Sequence, residues 1–175
     1  MRLCYRARQF WLALSTHPTS AELGQAQAVL STEQMVLFRR QQPGEQAHAL
    51  HMLLALQAQG ETDADLLVAA LLHDVGKQRC PLRVWERVVI VLGQAVSPAL
   101  AQHWGQPAAG DCRGWRKPFI VAAQHPAWGA ELALQAGVSQ LAAALIRRHQ
   151  SPLPTDSDQR EDTLLRKLQA IDGNS

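Results

Sequence analysis

Cysteine is scarce: Cys4, Cys80 and Cys112 are three in 175 residues, far apart and without a CxxC pair. With an odd number and no CxxC, neither a zinc ribbon nor a redox pair is suggested, and a reduced, cytoplasmic setting fits. Long apolar runs are missing too. The longest aliphatic stretch, Val88 to Val96, is far short of the roughly 20 residues that cross a bilayer. Tyr5, Arg6, Arg8 and Gln9 interrupt the N-terminus, so no leader peptide is expected. Charge of one sign is lacking. A net +2, with basic residues scattered in pairs such as Arg39-Arg40 and Arg147-Arg148, makes no electrostatic case for nucleic acid. Alternating strand patterns are scarce, and no repeat or low-complexity tract breaks the chain.

What remains is helix. Ala, Leu, Gln and Arg dominate, which predicts an all-α bundle of short helices in one domain. Ser31-Thr32-Glu33-Gln34 has the capping-box spacing and predicts a helix to about Arg40. Pro43 suits a first helical position and Gly60 the residue past an end, bracketing a helix over Gln46 to Gln59. Thr62-Asp63-Ala64-Asp65 caps the next, which runs through His73 and is stopped by Gly76. Further helices are expected over Leu82 to Ala95, Pro98 to Trp104, Phe119 to Ala136, Val138 to His149 and Arg160 to Ile171. Gly105 to Pro118 and Ser151 to Asp158 read as loops. Residues 1–42 form a helical extension, with Leu3, Phe10, Trp11, Leu14, Val36, Leu37 and Phe38 apolar; it packs over the bundle or makes a homodimer contact.

His73-Asp74-Val75-Gly76-Lys77 follows the apolar run Leu66 to Leu72. Burying a carboxylate costs several kcal/mol unless it is paired or bound to a cation. Imidazole beside carboxylate suits Zn, Fe, Mn or Ni better than a hard, oxygen-only ion. His48, His125 and His149 lie on other apolar helical stretches, and Asp172 follows Ile171 near the end of the chain. A bundle can bring such groups to one interior point, giving a mono- or binuclear site. Each residue alone is unremarkable, since a helical His is more often a hydrogen-bonded packing residue and a C-terminal Asp a solvated one. His51 reads as a packing or supporting residue, His103 as structural, and His17 has no assigned role.

The set His48, His73-Asp74 and Asp172 resembles the signature of the HD superfamily of metal-dependent phosphohydrolases. Ala69 to Lys77 is its most specific piece, 25 residues after His48. His125-Pro126-Ala127-Trp128-Gly129-Ala130 and Ile146 to Gln150 resemble the third- and fourth-histidine segments of binuclear members, as in the branch that hydrolyses diadenosine tetraphosphate. The Gly-Tyr-Pro motif and paired histidines of the cyclic-di-GMP branch are missing, and stand-alone bacterial members look closest.

The resemblance implies an HD-domain-like fold over residues 43–175. It implies a first divalent metal on His48, His73, Asp74 and Asp172, and a second on Asp74, His125 and His149, with Asp74 bridging. The ions would be Fe, Mn, Ni, Co or Zn. The reaction implied is hydrolysis of a nucleotide or other small phosphoester by a metal-activated water. Asp74 would be catalytic, and Lys77, one short turn on, would pair with a substrate phosphate. Alternatives are a di-iron oxygenase and a non-catalytic metal-binding regulatory module. Arg113, Arg116 and Lys117 are candidates to gather phosphate charge, and Trp115 to stack on a base. Trp85, Trp104 and Trp128 read as helix-packing residues.

Overall fold

The computed structural model describes residues 17–106, 112–153 and 159–173. Among them the chain is all-α, without a strand. Helices α1 (Ser20–Val29) and α2 (Thr32–Arg39) each open on a reciprocal capping box, Thr19 with Glu22 and Ser31 with Gln34. Each box satisfies two N–H groups that a helix start would leave bare. Helix α3 (Pro43–Ala58) begins on its proline and is followed by Gly60 at φ 80°. In front of α4 (Ala64–Leu72), Asp63 accepts from the N–H groups of Asp65 and Leu66 at 3.0 and 3.1 Å.

The end of α4 differs from expectation. The α-helix stops at Leu72, and a 3-10 helix, η1 (Val75–Arg79), continues past Gly76. Gly76 is therefore not a stop signal. A Cβ there would lie 2.0 Å from the carbonyl oxygen of His125 and 2.7 Å from the nitrogen of Gly129. The glycine is required because η1 presses on the backbone of α7 (Lys117–Gln135).

The remaining elements are α5 (Val84–Val96), α6 (Pro98–Trp104), α8 (Gln140–Arg148) and α9 (Arg160–Asp172). Helix α7 starts two residues before the expected Phe119, with Pro118 in its first turn, where a missing N–H costs nothing. Helix α8 starts at Gln140 because the Ser139 hydroxyl caps the N–H of Ala142 at 3.0 Å, which leaves Val138 outside the helix and buried.

The main core runs through the bundle, and Cys80, Leu82 and Val121 form a second, smaller cluster. Phe38, Leu50, Leu53, Leu56, Leu71, Leu145, Ile146 and Leu165 are fully buried in the main core. Ala26, Met35 and Phe38 belong to the same cluster, so α1 and α2 share the core of α3 and α4. Leu3, Cys4, Phe10, Trp11 and Leu14 lie outside the described residues. No helix among the described residues is long and apolar enough to cross a membrane.

Cys80 and Cys112 are paired as a disulfide, with Cα atoms 6.1 Å apart. This pair runs against the expectation of a reduced setting. Spacing along the chain could not reveal it, because the partners are 32 residues apart and meet only through the return of the chain into α7.

Candidate metal centre

The six expected ligands come from five helices and meet at one end of the bundle. His73 follows the last residue of α4, and His149 the last of α8. His48 sits in α3, His125 in the middle of α7, and Asp172 ends α9. Four imidazoles form a chain, with ring centroids 5.4 Å apart for His48–His73, 5.2 Å for His73–His149 and 5.1 Å for His125–His149. His73, Asp74, His125 and His149 are buried, while His48 and Asp172 are half-buried.

Each buried histidine is oriented by a carbonyl. His73 Nδ1 lies 3.0 Å from the Ala70 carbonyl, and His149 Nδ1 lies 2.8 Å from that of Ile146. Both are carbonyls of a final helical turn, which lack an intrahelical partner. His125 is mid-helix, where such carbonyls are normally taken. Pro126 has no N–H, so the Ala122 carbonyl loses its partner; His125 Nδ1 lies 3.1 Å from it and 2.9 Å from the Val121 carbonyl. A carbonyl only accepts, so Nδ1 is the donor in all three rings. Their Nε2 atoms then present lone pairs to the centre, the orientation that metal-ligating histidines take.

Asp74 lies between two groups. Its Oδ2 is 3.4 Å from His73 Nε2, and its Oδ1 is 3.3 Å from His125 Nε2. His125 and His149 approach Nε2 to Nε2 at 3.3 Å. Potential ligand atoms of His48, His73 and Asp74 all lie within 4.8 Å of one another, as do those of Asp74, His125 and His149. Asp172 Oδ1 borders the first group, 3.0 Å from His48 Nε2 and 3.9 Å from His73 Nε2.

The donor set fits divalent transition ions. Two Nε2 atoms whose Nδ1 atoms already carry the proton have nothing to share at 3.3 Å except an added proton or a cation. Burial and the neighbouring His73 push the pKa of His149 down to about 3, so it stays neutral as a ligand must. Burial would raise Asp74, but Lys77 and His73 outweigh it and hold the carboxyl well below the usual range. Burial would lower His73, but the carboxylates of Asp74 and Asp172 hold it above its usual value. Burial also works against ionising Asp172, and the hydrogen bond from His48 leads the effects that overcome it and lower its pKa.

Lys77 Nζ is 2.6 Å from Asp74 Oδ2, and its side chain reaches the wall of a cavity of about 190 Å³. His125 lines it too, with Leu82, Arg87, Ile90, Val91 and Gln150.

Other candidates fall elsewhere. Lys117 is bound to Glu86 and to the Pro81 carbonyl, and Arg116 to the carbonyls of Trp104 and Gln106. Both hold the α5–α6–α7 corner together. Arg148 pairs with Glu161 and Asp162 of α9, while Arg113 and Arg147 are exposed. Trp115 is exposed and meets Trp104 edge to face. Trp85 is exposed rather than packed, and so are His17, His51 and His103. His51 is three residues after His48 but on the outer face of α3, which rules out a packing role for it.

Two supporting residues escaped the sequence reading. Gln169 donates to the carbonyls of His149 and Ser151 at 3.0 and 2.8 Å, and Gln41 donates to that of Leu71 at 3.1 Å. They satisfy the helix ends that present His149 and His73. The available signal for Gln169 was its place three residues before Asp172 on the same helix face.

An all-α protein with a buried His/Asp cluster at one end of its bundle is the class these observations define. Comparison with family models, with curated proteins and with solved structures finds no match to this chain.

Proposed function

We propose that the protein is a metal-dependent phosphohydrolase of the HD type, holding two divalent transition ions and hydrolysing a nucleotide or another small phosphoester. His48, His73, Asp74 and Asp172 would hold one ion, and Asp74, His125 and His149 the other. The observation that carries the reading is Asp74, whose two oxygens face different histidine groups, beside imidazoles that meet Nε2 to Nε2. Such ions supply Lewis-acid charge to phosphate oxygens and lower the pKa of a coordinated water toward neutrality.

The chain's own groups serve the rest of the reaction. Asp74 lends one carboxylate oxygen to each group and so sets their separation. Lys77 stands between Asp74 and the cavity, where its ammonium can turn to a phosphate oxygen while still neutralising the carboxylate. The cavity that reaches His125 combines aliphatic groups, Leu82, Ile90 and Val91, with the polar side chains of Arg87, Gln94 and Gln150, a lining suited to a substrate with a charged and an apolar part.

The test is elemental analysis of protein purified without an affinity tag, together with hydrolysis of chromogenic phosphomonoesters and phosphodiesters. Up to two ions per chain and turnover are expected. Asp74→Asn should lower kcat at least 100-fold and reduce the metal content. A wild-type protein that binds metal yet turns over no member of a broad phosphoester panel would sink the proposal.

A further inference from the structure

Helix α5 is built inside out. Its charged residues turn inward: Glu86 is buried against Lys117, and Arg87 donates to Gln42 and Glu45 at 2.7 Å each. Gly93 also faces inward, where a Cβ would lie 2.5 Å from the ring of Phe119. The opposite face carries Val84, Trp85, Val88, Val91, Leu92 and Val96, and Leu100 of α6 continues it. These positions recur every three or four residues and make one stripe. Leu92 is 58% exposed, Val96 84% and Trp85 56%. No Asp, Glu, Lys or Arg occurs between Val88 and Gln102.

We propose that this face is where a second copy of the chain docks, α5 against α5 about a two-fold axis. The exposed parts of the seven side chains amount to roughly 700 Å² of largely apolar surface, more than a monomer usually leaves open. A standard interface buries about 800 Å² per partner, so the stripe and a thin polar rim suffice for a stable dimer. Two-fold pairing sets a surface against itself, which repels wherever the surface carries net charge. The stripe carries none, so self-pairing meets no electrostatic opposition, and Trp85 supplies an aromatic anchor of the kind that dominates interfaces. Val91 belongs both to this face and to the cavity wall, so a docked copy borders the cavity that Lys77 and His125 line. The inference itself does not depend on what the candidate metal centre does.

Sedimentation velocity of the full chain across the micromolar range tests it. The wild type is expected at twice the monomer mass. Leu92→Glu and Val96→Glu should each shift it to the monomer mass, with far-UV circular dichroism unchanged because both side chains are exposed. A wild type that stays monomeric throughout would overturn the proposal, and so would a dimer that survives both substitutions. Wild type that is monomeric alone but floats with phosphatidylcholine vesicles would overturn it in favour of a lipid surface.

Discussion

At the scale of the residue, one device recurs. A histidine gives its Nδ1 proton to a carbonyl that has no partner, and its Nε2 turns to the centre. His73 and His149 find such carbonyls at helix ends, whereas His125 needs Pro126 to free one. Pro126→Ala should therefore separate stability from binding. Restoring the N–H removes a mid-helix proline and should stabilise the metal-free protein by about 1 kcal/mol or more. It should also weaken metal affinity roughly tenfold, the size expected when a partner behind a ligand is disturbed. Urea denaturation and metal titration of the same variant check both.

The same residues set a pH dependence for the metal-free protein. In the unfolded chain His149 binds a proton below about 6.5, but in the fold only near about 3. The unfolded state holds more protons across that window, so stability falls as pH drops through it. Asp74, lowered in the fold, is stabilising above its unfolded value of 3.8, and that contribution is lost at still lower pH. His73 has the opposite sign. Its raised folded value is stabilising below 6.5 and is lost as pH rises through the folded value. Urea midpoints in chelator should thus peak near pH 6.5, and His149→Gln should flatten the acid limb.

At the scale of the element, η1 matters most. It is short, yet it carries Lys77, follows Asp74, and lies against α7 through Gly76 and Gly129. Gly76→Ala sets a Cβ against the His125 carbonyl, backbone against backbone, and should cost about 3 kcal/mol as η1 is pushed off α7. Gly24→Ala in α1 meets nothing within 4 Å and should instead stabilise by about 0.5–1 kcal/mol. Thermal melts of the two variants give the contrast. Most helix limits were legible because caps act over three residues: Ser31 to Gln34, Asp63 to Leu66, Pro43 in a first turn. The Thr19–Glu22 box is equally local. The end of α4 was misplaced because Gly76 answers to a helix that lies some 50 residues further along the chain.

At the scale of the whole molecule, two closures hold distant chain segments together. His48 reaches Asp172 across 124 residues, and Cys80 reaches Cys112 across 32. The disulfide links the end of η1 to the segment that enters α7. By loop-closure entropy it should contribute about 3–4 kcal/mol. Urea unfolding with and without dithiothreitol measures this, and Cys112→Ser should behave as the reduced protein does.

By itself the sequence determined the all-α class and most helix limits, and it nominated six candidate ligands and Lys77. The helices follow from local rules, cap spacing and apolar runs; the ligands and Lys77 follow from His and Asp residues on apolar helical stretches and from the resemblance those residues carry. Only the tertiary structure decided which partners meet. It joined Cys80 to Cys112, gave Lys117 to Glu86 rather than to a phosphate, and turned the apolar side of α5 outward. Hydrogen-bonded caps are settled within a turn of helix, whereas these pairings depend on how whole helices cross, and no spacing along the chain encodes that.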